Sequence, residues 1–234
     1  MIKNILIGGS MIAVSLALML HMYFPIKTSA LAIVEDFTDE QVVKPSYKDV
    51  ETILQVNDNK WDGAVFYYSR LTDVSLNEFQ VASLPGRRFC LSNEFERQKE
   101  ILDFSTLIQE ALAKPIVSGK ANSSVYIPIV KALSFLKSTE AETKALLIYS
   151  DLMENGENIS LYDQSSLKKM KENPGTLIDF YESKMTLPDL TGISVYLIYR
   201  PLNIKEDERF QIVSGFYKKM LENKGAKVFI QANI

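Results

Sequence analysis

The chain has 234 residues, 47% hydrophobic and 24% charged, with a formal net charge of -3, which suits one α/β domain of ordinary size with an appendage. Near-neutrality and the lack of a Lys/Arg stripe interleaved with aromatics argue against nucleic acid as a partner. The only cysteine, Cys90, excludes an intrachain disulfide and reads as an inert buried thiol. The only histidine, His21, lies in an N-terminal apolar segment, so the folded part has no imidazole for Ser-His-Asp or Cys-His catalysis or for a His-dependent zinc site.

Met1-Ile-Lys-Asn precedes the uncharged run Ile5–Phe24. About twenty helical residues span roughly 30 Å, one bilayer hydrocarbon core, whereas a signal-peptide apolar region has roughly 7–15. Thr28-Ser-Ala30 and Ala30-Leu-Ala32 have the small residues of a signal-peptidase site. Cutting at either would remove the start of the strand that leads to Asp36. The expectation is an uncleaved single-pass anchor over residues 1–28, including a short linker from Pro25, followed by a domain over 29–234. Lys3 and the amino terminus favour N-terminus in and domain out, hence an extracytoplasmic domain held close to the membrane.

Leu31-Ala-Ile-Val is an apolar run that ends in Glu35-Asp-Phe-Thr-Asp-Glu40, which predicts a buried strand with carboxylates just past it. After Pro45, Ser46–Gln55 predicts a helix with Val50, Ile53 and Leu54 on one face. Trp61–Arg70 and Asn77–Leu84 predict two strands, close enough in sequence to pair antiparallel. Ser92 is the expected N-cap of a helix reaching Lys114, with Phe95, Leu102, Ile108 and Leu112 on its buried face. A loop over 118–124 leads to a helix ending near Lys137, with Val125, Ile129, Leu133 and Leu136 inward. Ala145–Ser150 is an apolar strand that also ends at an aspartate, Asp151. Two helical stretches split at Pro174-Gly175 follow, then a strand over Ile193–Tyr199, a helix over Asp207–Asn223, and a strand from Lys227 to Gln231. Strands alternating with helices predict a doubly wound, mostly parallel sheet with helices on both faces.

If the strands ending at Asp36 and Asp151 are neighbours at the switch point of such a sheet, both aspartates face the same crevice. Ser123 and Ser124 would lie at the same pole. The ligand set is then oxygen only, which suits Mg²⁺, Mn²⁺ or Ca²⁺. The loop Asp151–Glu157 fails as an EF-hand, with Met153 at a ligand position and Tyr162 where the bidentate glutamate belongs. Simpler roles exist: Asp36 could cap the following turn, and Ser123 or Ser124 could merely cap a helix.

In this order, the segments resemble a von Willebrand factor A (VWA) domain with its metal-ion-dependent adhesion site. Asp36-Phe-Thr38-Asp-Glu40 stands where that family has Asp-x-Ser-x-Ser. Ser123, within Asn122-Ser-Ser-Val-Tyr-Ile-Pro-Ile129, stands for its threonine, and Asp151 for the aspartate ending its fourth strand. The resemblance implies a Rossmann-like fold and a divalent cation, Mg²⁺ or else Mn²⁺ or Ca²⁺, held by Asp36, Thr38, Glu40, Ser123 and Asp151. It also implies binding of a protein partner, without catalysis, in a cell-envelope assembly. Glu40 in a serine's place adds negative charge, which favours the cation but leaves it less electrophilic towards a partner's carboxylate. Two alternatives stand beside this. One is a haloacid-dehalogenase-like phosphatase with Asp36 as nucleophile and Ser150 in its second motif, although Thr38 replaces the general-acid aspartate. The other is a metal-free VWA-like scaffold.

Overall fold

In the computed structural model, residues 26–36, 42–71, 79–88, 92–114, 124–156 and 159–234 are described. The expected membrane segment, Cys90, Thr38, Glu40 and Ser123 lie outside these ranges. Among the described residues, no helix is long and apolar enough to cross a membrane.

Strand β1 (Thr28–Asp36) is buried from Ala30 to its last residue. It pairs in parallel with β2 (Gly63–Leu71) on one side and with β4 (Thr143–Tyr149) on the other. Beyond β2, strand β3 (Phe79–Leu84) runs antiparallel, as the short connection predicts. A hairpin of two-residue strands, β5 (Asn155–Gly156) and β6 (Ile159–Ser160), follows β4. Strands β7 (Ile193–Ile198) and β8 (Lys227–Gln231) extend the sheet in parallel beyond β4. The six-stranded order is β3-β2-β1-β4-β7-β8.

Period-2 alternation along β1 divides the core. Leu31 and Ile33 pack with residues of helices α1 (Tyr47–Leu54) and α2 (Glu94–Ala113). Ala30, Ala32 and Val34 pack with α3 (Tyr126–Ser138), α4 (Gln164–Glu172), α5 (Pro174–Lys184) and α6 (Ile204–Glu222). A strand covered on both faces needs an unbroken apolar sequence, which Ala30–Val34 supplies.

Local signals account for most boundaries. Ser46 and Asp49 form a reciprocal capping box that opens α1. Pro174 stands in the first turn of α5, where its missing N–H costs nothing. Helix α6 begins at Ile204, ahead of the expected Asp207, because the Asn203 side chain accepts from Glu206 N at 3.0 Å. After α6, Gly225 has φ +95°, and a Cβ there would meet Thr191 Oγ1 at 2.7 Å.

Helix α2 departs from expectation in two ways. Its cap is Asn93, whose Oδ1 accepts from Phe95 N at 2.9 Å, rather than Ser92. Its fully buried residues are Arg97, Phe104, Ile108 and Ala111, whereas Phe95 and Leu102 are 77% and 65% exposed. Arg97 decides the rotation. Its guanidinium donates to the carbonyls of Lys60, Asp62 (2.6 Å) and Pro85 (2.7 Å), and to Glu100 Oε2 (3.0 Å). Those carbonyls lie just before β2 and just after β3, so one buried cation ties together the chain at the pole where β1 begins. A buried charge is tolerable only with this many partners. Arg97→Ala is expected to cost at least about 3 kcal/mol in urea unfolding, and Phe95→Ser less than about 0.5 kcal/mol. Comparable losses for the two would show that the helix is turned the other way.

Candidate functional site

From β1 the chain winds through α1 to β2; from β4 it winds through α4 and α5 to β7, with those helices on the opposite face. The sheet therefore reverses between β1 and β4. In an open α/β sheet, ligands bind outside the carboxyl ends of the strands at this switch point. Glu35 pairs with Tyr149 across the two strands, which sets Asp36 beside Ser150.

Asp36 is 1% exposed, and its Oδ2 accepts from Ser150 Oγ at 2.8 Å. Ser150 Oγ in turn accepts from Leu152 N at 2.8 Å, and Asp151 Oδ1 accepts from Met153 N at 2.9 Å. These two local bonds turn the chain sharply after β4, with Leu152 left-handed at φ +63°. Asp151 stays half-buried at the lip of a cavity of about 290 Å³, whose walls include Met153, Tyr162, Tyr199, Arg209 and Phe210.

Glu35 points to the other face of β1. It accepts from Tyr68 Oη, which accepts from Arg70 Nε at 3.0 Å, and the Arg70 guanidinium also reaches Ala111 O at 2.9 Å. Burial pushes the Glu35 carboxyl up to about 7, against the opposing pull of the Tyr68 hydrogen bond and the Arg70 charge. Two adjacent carboxylates thus end the central strand, one on each face, and each takes a hydrogen bond from a hydroxyl on a neighbouring strand or turn.

Ser124 does not cap α3, which opens at Val125 without a side-chain cap. Its Oγ donates to Glu154 Oε1 at 3.1 Å, and Lys184 Nζ lies 3.5 Å from the same oxygen. Glu154 is fully buried, and burial raises its pKa. The Ser124 bond ties the start of α3 to the loop that carries Asp151.

Of the five residues proposed as ligands, Asp36 and Asp151 are brought to the switch point on adjacent strands. Thr38, Glu40 and Ser123 are outside the described residues. Among the described residues, no group of three or more His, Cys, Asp or Glu converges as a metal site. Asp36 bonds to Ser150, which shows a role beyond capping its own turn. Glu35 and Glu154 are not among the sequence candidates; the signal for Glu35 is a carboxylate directly following the apolar run Leu31–Val34.

No protein-family model matches the sequence, and a search of curated proteins finds no match. The molecule belongs to the broad class of doubly wound α/β proteins, with two strand-end aspartates at its switch point.

The raised Glu35 carboxyl sets a pH dependence. The folded state holds the Glu35 proton more tightly than the unfolded chain, so stability falls as pH rises from about 4.5 to about 7. The full cost is roughly 3 kcal/mol above that window. Glu35→Gln is expected to remove this slope, gaining on the wild type as pH rises in urea titrations across the window. A constant difference between the two would show that Glu35 titrates normally.

Proposed function

We propose that this chain is a membrane-anchored, VWA-like binding module that holds a divalent cation at its switch-point crevice and binds a protein partner in a cell-envelope assembly. The observation that carries this reading is the placement of Asp36 and Ser150-Asp151 on neighbouring parallel strands, joined by the 2.8 Å hydrogen bond. The donor chemistry fits a hard cation: two carboxylates and a hydroxyl, with no nitrogen or sulfur ligand among them. Thr38, Glu40 and Ser123 would complete the set, on the strength of their sequence positions. Bound there, Mg²⁺ would offer a Lewis-acidic contact to an oxygen of the partner, and the adjoining cavity offers aromatic walls for a side chain.

A phosphatase reading is less well supported. Asp36 is nearly inaccessible and its carboxylate is engaged by Ser150, which does not present it to a phosphoester. The metal-free scaffold gains from the same bond, because Ser150 supports the Asp36 carboxylate without any ion.

The fold orients the crevice. If residues 5–24 are the anchor, the chain enters the sheet at Thr28, and nine strand residues at about 3.3 Å each carry it roughly 30 Å to Asp36. The crevice then faces away from the bilayer. Cleavage after Ala30 or Ala32 would strip paired residues from the middle of the sheet, in support of an uncleaved anchor.

Calorimetric titration of the full chain with Mg²⁺ or Mn²⁺ should show binding that Asp36→Ala abolishes. No heat from the wild type would leave the metal-free scaffold, and phosphoester hydrolysis lost in the same variant would favour the enzyme. A photo-crosslinking residue at Leu202, beside the crevice, should capture the partner in membranes, while one at Phe95, at the opposite pole, should not. The reverse pattern would place the binding surface elsewhere.

A further inference from the structure

The chain enters the sheet at a fixed corner of the pole where β1 begins. Lys27 N donates to Asp62 Oδ1 at 3.0 Å, and Lys27 O accepts from Gly63 N at 2.7 Å. Ile26 lies against Gly86 and leaves no room for a Cβ there. Trp61, the only tryptophan, closes the same corner, because its carbonyl accepts from Arg87 N at 2.8 Å. Its side chain is half-buried, and Lys27, Arg87 and Arg88 are exposed beside it in the chain or the fold. Phe95, 77% exposed, stands in the first turn of α2. That turn is held to the corner by the Lys60–Glu94 ion pair and by Arg97, which donates to the carbonyls of Lys60 and Asp62.

The apolar run Ile5–Phe24 ends three residues before Lys27. Three residues reach at most about 10 Å even when fully extended. A headgroup layer is roughly 5–8 Å deep on each side of the hydrocarbon core. With the run across a bilayer, so short a tether brings the corner around Lys27 to the headgroups.

We propose that this corner is a lipid-contact surface, in which Trp61 and Phe95 enter the headgroup region and Lys27, Arg87 and Arg88 meet lipid phosphates. The proposal rests on reading residues 5–24 as an anchor. An indole ring is amphipathic and favours the membrane interface, and Lys and Arg can lay their stems along it with the charge in the headgroups. The charge at the corner selects the lipid. Lys60 pairs with Glu94, Arg87 with Glu100, and Asp62 lies beside Lys27. So balanced a surface suits a zwitterionic headgroup such as phosphocholine and sets no demand for anionic lipid. A tether alone would let the domain swivel; contact through both aromatic residues holds the crevice pole away from the bilayer.

Trp61 is its own probe. The full chain is reconstituted in phosphatidylcholine vesicles whose acyl chains carry bromine close to the headgroup. Trp61 emission is expected to fall roughly twofold relative to unbrominated vesicles, as for an indole at the interface. In a Trp61→Phe background, Phe95→Trp should also be quenched, whereas Leu202→Trp, exposed at the crevice pole, should not. Vesicle flotation separates this inference from the reading beneath it. Protein that does not float would overturn the anchor and the inference with it. Protein that floats with Trp61 unquenched would overturn the lipid contact alone, as would equal quenching at Leu202→Trp.

Discussion

The constraint on which the structure turns is the complete burial of β1. A strand hydrogen-bonded on both edges and covered by helices on both faces has no contact with water along most of its length. Ala30–Val34 meet that condition with apolar side chains. Glu35 and Asp36 do not, and their carboxylates end up in a region of low dielectric. Each is met by a hydroxyl, from Tyr68 on one face and from Ser150 on the other. Ser150 must then lie at the end of β4, and the same hydroxyl accepts from Leu152 N and so begins the turn after that strand. The shape of the crevice follows from keeping two carboxylates supported at the end of a dry strand.

This arrangement bears on function because charge and concavity occur at the same point. Winding in opposite directions from β1 and β4 opens the crevice. The aspartates supply negative charge there, and aromatic side chains after β7 and from α6 wall the cavity beside it. A buried carboxylate already engaged by a hydroxyl is better placed to hold a cation, or to shape a binding surface, than to attack a substrate. That difference in accessibility is why binding is favoured over catalysis as the proposed role.

Buried polar groups also hold the loops at both poles, by different means. At the pole where β1 begins, Arg97 gathers three carbonyls and a carboxylate with one guanidinium. At the crevice pole, Glu154 takes Ser124 and Lys184 on one oxygen, which joins the start of α3 and the end of α5 to the loop after β4. Arg97 has five N–H donors in a fixed fork and can serve several carbonyls unaided.

The elements themselves were legible in the sequence. All six strands of the main sheet, the helix opening near Ser46 and the break at Pro174 follow from periodicity and turn chemistry, which act over a few residues. The antiparallel pairing of the edge strand β3 follows from its close connection to β2. The face of α2 was misread because Phe95 and Leu102 look inward by hydropathy, while Arg97 is drawn in by carbonyls from segments distant in sequence. For the site, the sequence by itself determined that two buried strands end in aspartate and that only oxygen ligands accompany them. Tertiary structure alone decided that these strands are neighbours, that Ser150 meets Asp36 across 114 positions of chain, and that Glu35 and Glu154 are buried beside hydroxyls. Hydropathy is a property of each residue and its near neighbours. The pairing of a buried charge is decided by whichever segment the fold brings within about 3 Å.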